Sequence, residues 1–359
     1  MTALTPAELI RPEIRALSAY PVPAAAGLIK LDAMENPYGW PAELIDAWLA
    51  TLCTVPLNRY PDPGAVQLKA RLRETMAIPE GAGLILGNGS DELIQLVILA
   101  LAGPDRVVLV PDPSFVMYRL IASFVGLRYV AVPLRATDFS LDLPAMLAAI
   151  ERYQPAVIFL AYPNNPTGNR FAEQDVRQVI QAASGLVVVD EAYFPFATHS
   201  FLAELLEFDR LLLMRTLSKM GLAGLRLGLL AGAPHWLEEL EKLRLPYNIN
   251  SLTQVSAEFA LTQQTLLDEQ ARRICADRKM LFTALNALPG ISAFPSETNF
   301  ILLRTPSGQA NRLFELLRER GILVKNLSSS GGLLQDCLRV TVGTAAENQA
   351  FLAALAAAL

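Results

Sequence analysis

The stretch Thr216-Leu217-Ser218-Lys219-Met220-Gly221-Leu222-Ala223-Gly224-Leu225-Arg226 sets a lysine and an arginine among small and apolar residues. An apolar run, Leu211 to Met214, precedes it and another, Leu225 to Ala231, follows. Apart from Arg226, both are short and continuous, without polar alternation, as strands buried on two faces are. The pattern predicts a lysine at the end of a buried strand. Poor solvation there favours the neutral amine, the nucleophilic form that condenses with a carbonyl. The competing reading is a lysine whose stem lies on apolar surface while its charge reaches water. The neighbouring elements decide between the two.

Upstream, short apolar runs recur at Leu84 to Leu86, Val107 to Val110, Tyr129 to Pro133, Ala156 to Ala161 and Leu186 to Val189. Helical patterns separate them, at Leu93 to Leu101, Phe115 to Ser123, Leu143 to Tyr153 and Glu173 to Ala183. Buried strands alternating with helices predict an α/β fold, a mostly parallel sheet sandwiched by helices. Ligands of such sheets lie beyond the carboxyl ends of the strands. Downstream of Pro246 to Asn250 the pattern changes to one long helical stretch, Thr253 to Leu288. Strand patterns around Phe300, Leu323 and Val340 and a closing helix from Glu347 to Ala358 complete a smaller α+β unit. Residues 1–27, broken by Pro6, Pro12, Pro21 and Pro23, read as an arm. The expected organisation is arm 1–27, large unit 28–250 and small unit 251–359.

Three strand ends carry polar residues. Gly87-Asn88-Gly89-Ser90-Asp91-Glu92 joins a strand to a helix; its glycines permit a sharp turn, and free N–H groups at the helix start favour an anion such as phosphate. A plain capped helix has the same pattern. Tyr162-Pro163-Asn164-Asn165-Pro166-Thr167-Gly168 is a turn that presents asparagine amides, and Asp190-Glu191-Ala192-Tyr193 brings a carboxylate out of a Leu/Val strand. A buried aspartate requires a cation or several donors, and a protonated pyridine nitrogen is one suitable partner. Each feature alone is ordinary. Together with Lys219 and Arg226 they suit one ligand, pyridoxal 5′-phosphate (PLP), held by Lys219 as a Schiff base.

Composition excludes several alternatives. The chain has 359 residues, 52% hydrophobic, with a net charge of −5 and a mean hydropathy of +0.33. No apolar run approaches the roughly 18 to 20 residues of a spanning helix, and the N-terminus does not resemble a secretory signal. We therefore expect a cytoplasmic protein without a membrane partner. No basic stripe suits nucleic acid. Cys53, Cys275 and Cys337 lack metal-ligand spacing, and only His199 and His235 are available as imidazoles, so no metal site or histidine triad is expected.

Seven motifs, Glu35-Asn36-Pro37-Tyr38-Gly39, Arg59-Tyr60-Pro61-Asp62, Gly87 to Glu92, Asn164 to Gly168, Asp190 to Tyr193, Thr216 to Arg226 and Leu338-Arg339-Val340-Thr341-Val342-Gly343-Thr344, occur in order along nearly the whole chain. In them the chain resembles the histidinol-phosphate aminotransferases among the fold-type-I PLP aminotransferases. The resemblance implies roles. Lys219 would carry the cofactor and move a proton, Asp190 would bind the pyridine nitrogen, and Tyr193 and Asn165 the phenolic oxygen. Phe115 would stack on the ring, while Ser90, Asp91, Ser218 and Arg226 would hold the phosphate. Tyr60 and Tyr38 would reach the partner's cofactor phosphate and substrate pocket, implying a homodimer with shared sites. Arg339 and Lys325 would bind the substrate anion. Lys325 stands where the family often has arginine, losing bidentate geometry, which leaves an aromatic amino acid open as an alternative substrate. A PLP-dependent decarboxylase of a phosphorylated amino acid would use the same cofactor set. The span from Lys219 to Arg226 is one residue shorter than in many relatives.

Overall fold

The computed structural model describes residues 4–19 and 23–359; residues 1–3 and 20–22, Pro21 among them, lie outside the described residues. Seven strands form the main sheet: β1 (Gly83–Asn88), β2 (Val107–Asp112), β3 (Arg128–Pro133), β4 (Val157–Ala161), β5 (Leu186–Asp190), β6 (Leu211–Thr216) and β7 (Leu227–Gly232). Their spatial order is β1-β7-β6-β5-β4-β2-β3. The pairs from β6 through β3 are parallel, and β7 runs antiparallel to both its neighbours. This is the α/β architecture expected from the continuous apolar runs.

Side chains alternate across a strand, so each strand feeds two apolar layers. In β5, Val187 and Val189 join one core with Leu211, Leu213, Ile158 and Leu160. Leu186 and Val188 join the other with Leu212, Met214, Val157 and Phe159. Helices such as Val116–Val125 and Ser90–Ala100 cover the second layer. The result is that every β5 residue is buried, and Asp190 leaves the sheet on the same face as Val188.

A four-stranded antiparallel sheet, built from Ser292–Ala293, Phe300–Arg304, Lys325–Asn326 and Cys337–Thr341, organises a further core with Ile274, Leu281 and Phe351. Two expectations are corrected. The stretch read as one helix from Thr253 to Leu288 is two helices, Ser251–Leu261 and Gln264–Asn286. Ala257, Ala260 and Leu261 belong to the core of the large sheet, whereas Ile274, Leu281 and Leu285 belong to that of the small one; the break at Thr262 and Gln263 lets the chain change cores. The strand expected from Leu225 starts at Leu227, because Ala223–Leu225 forms a 3₁₀ turn and Arg226 takes a left-handed φ of 49°. In addition, Ile29–Lys30 pairs in parallel with Ile322–Leu323, across most of the chain.

Candidate active site

The carboxyl ends of β1, β2, β4, β5 and β6 share one edge of the sheet, and β7, running the other way, begins at that edge. Lys219 follows β6 and Arg226 precedes β7, so a single hairpin delivers both cations there. Thr216 shapes its start: its hydroxyl accepts from the Ser218 amide at 3.1 Å and donates to the Leu227 carbonyl at 3.1 Å, with the Ser218 hydroxyl 3.0 Å away. The cavity at this edge encloses about 420 Å³, and Lys219, Asp190, Tyr193, Asn165, Ser90 and Phe115 are among its walls.

Asn164 and Asn165 divide their tasks. Asn164 ties the turn internally, donating to the Pro113 carbonyl at 2.9 Å and Thr167 Oγ1 at 2.8 Å and accepting from the Ser114 hydroxyl at 2.9 Å. Asn165 faces the cavity. Its Nδ2 donates to the Tyr193 hydroxyl at 3.1 Å and its Oδ1 accepts from Arg339 Nη1 at 2.5 Å. The second guanidinium nitrogen of Arg339 donates to the Asp32 carbonyl at 3.0 Å, and the group lies 5.2 Å from the Phe300 ring centre. Arg339, on the small sheet, is thereby joined to a turn of the large one. Lys325 pairs with Arg339 in register on the adjacent strand, setting two cations side by side.

Burial sets the titration of the central groups. Asp190 is pushed up to about 6 by desolvation, opposed by a hydrogen bond from Tyr118 to Oδ2 at 2.6 Å and one from the Ala192 amide to Oδ1 at 3.0 Å. Lys219 is pushed down to about 8, first by burial and next by the positive Arg339. Its ammonium position lies 5.8 Å from the Tyr193 ring centre. The Tyr193 phenol is raised by burial and donates to Met34 Sδ at 3.2 Å. Lys325 is lowered by burial and then by Arg339.

The phosphate-binding expectation meets a formed cradle. Ser90 and Asp91 open the helix Ser90–Ala100, whose first N–H groups have no intrahelical partner. Ser90 Oγ is buried and has no hydrogen-bond partner among the described residues. Arg226 Nη2 lies 3.6 Å from Asp91. Gly89 has φ 78°, and a Cβ there would stand 2.6 Å from Arg226 Nη2, so a side chain would push the guanidinium away from the helix start. An orphaned hydroxyl, free amides and a guanidinium converge as a phosphate requires. With a strand-end carboxylate for a ring nitrogen and a partly desolvated lysine, this donor set fits PLP.

Tyr38 and Tyr60 stand outside this cavity. Tyr60 is 81% exposed and stacks on Tyr247, centroids 4.5 Å apart. Tyr38 donates to Asp277 at 3.1 Å and lies under Arg273. Two residues at the site were not expected. Met34, at φ 55°, brings its sulfur to Tyr193, and nothing in the local pattern marks it. Tyr118 reaches Asp190; its one signal is a phenol on the otherwise apolar face of the helix Val116–Val125. Among the described residues no group of three His, Cys, Asp or Glu side chains could hold a metal.

The model for class I and II aminotransferases matches residues 26–355. The chain belongs to that family. The aminotransferase is 63% identical over 357 residues to histidinol-phosphate aminotransferase 2 of Nitrosococcus oceani, covering 99% of each chain. It is 56% identical to the histidinol-phosphate aminotransferase of Chromobacterium violaceum, covering 98% of each. Its fold matches the histidinol-phosphate aminotransferase of Sinorhizobium meliloti in complex with pyridoxal 5′-phosphate, with a TM-score of 0.86, 24% identity and coverage of 98% of this chain and 97% of the other.

Proposed function

We propose that the aminotransferase uses PLP to exchange an amino group between histidinol phosphate and 2-oxoglutarate, interconverting them with imidazole-acetol phosphate and glutamate in histidine biosynthesis. The observation that carries this reading is the pairing of Arg339 with Asn165 beside the Lys219 cavity, with Lys325 adjacent in register. A phosphate, which retains a second negative charge near neutral pH, suits two neighbouring cations better than a lone carboxylate does. The identities above support the same substrate.

When bound, PLP supplies an electron-poor ring that stabilises negative charge at the adjacent substrate carbon. Lys219 would anchor it, and its amine, lowered to about 8, would take the proton from the substrate carbon and return it at the neighbouring position. Asp190 would hold the ring nitrogen protonated. Tyr193 and Asn165 would hold the phenolic oxygen, Phe115 would bound the ring face, and the Ser90 and Asp91 amides, Ser218 and Arg226 would bind the phosphate. Arg339 and Lys325 would bind the substrate anion.

The aminotransferase is further proposed to be a cytoplasmic homodimer in which Tyr60 reaches the partner's cofactor phosphate and Tyr38 its substrate pocket. Exposed Leu57, Tyr60 and Leu245 on neighbouring segments support an interface. Two functional units, about residues 28–250 and 251–359 after an arm of residues 1–27, would meet at the cavity. Among the described residues no helix is long and apolar enough to cross a membrane. The deciding experiment is a donor comparison on the PLP-loaded protein. Preferred turnover of histidinol phosphate over phenylalanine, with formation of glutamate, supports the reading. Preference for phenylalanine, or carbon dioxide release without glutamate, refutes it.

A further inference from the structure

Tyr118 is completely buried and carries one polar atom into an apolar layer. That hydroxyl donates to Asp190 Oδ2 at 2.6 Å. The ring has little freedom to move it elsewhere, being stacked on Phe159 at 4.7 Å and 17° and in edge contact with Phe115 at 5.5 Å and 86°. Phe159 faces Val188 in register, two residues before Asp190 on the same face of β5. The layer that fixes the phenol is therefore the layer into which the carboxylate projects. The other oxygen, Oδ1, accepts from the Ala192 amide. One donor on each oxygen fixes the rotation of the carboxylate.

The charged and titratable groups around Asp190 act in opposite senses. Asp91, on the helix Ser90–Ala100, and Glu191, on its own segment, make the carboxylate a stronger base, as does burial; the Tyr118 hydroxyl and the Ala192 amide make it a weaker one. Tyr193 stands close enough to be affected by the same charge. A carboxylate facing a pyridine nitrogen shares one proton with it, and the ring draws electrons well only while that proton is on nitrogen. A carboxylate in an apolar site tends to take the proton itself.

We propose that Tyr118 is a positioning residue whose hydroxyl fixes the Asp190 carboxylate and weakens it as a base, keeping the shared proton on the pyridine nitrogen of the cofactor. The inference rests on the assignment of Asp190 to that nitrogen. It differs from a packing role because the ring alone would satisfy packing.

The test loads the apoprotein with PLP labelled with nitrogen-15 in the ring and reads the nitrogen resonance, which separates protonated from unprotonated pyridine. Wild type is expected to give the protonated signal and Asp190→Asn to lose it. Tyr118→Phe, which retains both ring contacts, is expected to move the resonance toward the unprotonated value. It should also lower kcat about tenfold, the scale of a hydrogen bond to a charged group. Fluorotyrosine at position 118, a stronger donor, should move the resonance in the opposite direction from Tyr118→Phe. The proposal is overturned if Asp190→Asn moves the resonance while Tyr118→Phe leaves it and kcat at the wild-type values. If Asp190→Asn itself leaves the resonance in place, the assignment of Asp190 fails, and the role of Tyr118 falls with it.

Discussion

Replacing Arg339 with alanine tests where the substrate anion is held. Arg339 is 7% exposed and its guanidinium lies over the Phe300 ring, so an anion meeting it is largely desolvated. Losing one member of such a charge pair costs about 2 to 5 kcal/mol, equivalent to roughly 30- to 5000-fold in kcat/KM. The structure adds a second effect. Arg339 is the largest influence after burial in lowering Lys219, so its removal should raise the lysine above about 8, leaving more of it protonated at neutral pH. The assay compares kcat/KM for histidinol phosphate and for histidinol, the same molecule without phosphate, in wild type and Arg339→Ala. The variant should lose much more activity toward the phosphorylated substrate, making the two substrates more alike. An equal loss toward both would place the phosphate elsewhere and reduce Arg339 to a support for Asn165.

Lys219→Ala should abolish turnover and the visible absorption band of the loaded enzyme while the phosphate cradle still retains cofactor; absorbance and turnover after reconstitution check this, and near-wild-type turnover contradicts the assignment. In the apoprotein, Lys219 is mostly charged below about pH 8 and neutral above it, so the rate of PLP capture should rise through that pH, and a midpoint near 10 would refute the desolvation argument. Leu57→Asp places a charge at an exposed position three residues before the exposed Tyr60; sedimentation should change from twice the chain mass to the chain mass, with loss of activity, and an active monomer would remove the shared-site proposal. Glu191 accepts from Arg215 at 3.0 and 2.9 Å, and both side chains are buried. Glu191→Ala would strand the Arg215 charge and should destabilise the protein by about 3 to 5 kcal/mol in chemical denaturation; a loss below about 1 kcal/mol would mean that water reaches the guanidinium.

The main sheet was legible because its strands are buried on both faces and therefore read as unbroken Val, Leu and Ile runs. The strand ends were legible for the opposite reason: Asp190, Ser90 and Asn165 are polar where those runs stop. What the sequence left unread depends on contacts distant along the chain. The break at Thr262 and Gln263 has no proline or glycine to mark it, since it arises from a change of core partner. Ile29 finds Ile322 only through the tertiary fold. Tyr118 looks like any tyrosine in an amphipathic helix until β5 brings Asp190 beneath it.

The reversed direction of β7 gives the hairpin around Lys219 a metric role. Thr216 faces Gly228 across it, so the separation of the amine from Arg226 is set by backbone pairing immediately below. Gly228 has no room to adjust, because a Cβ there would lie 2.8 Å from the Gly89 backbone. With Lys219 and Arg226 in their proposed roles, the loop would work as a ruler laid between a covalent anchor and an ionic one. A residue inserted between Lys219 and Arg226 would have to bulge outward and alter the reach of one end, whereas the same insertion in the exposed loop after Leu205 would leave that separation unchanged.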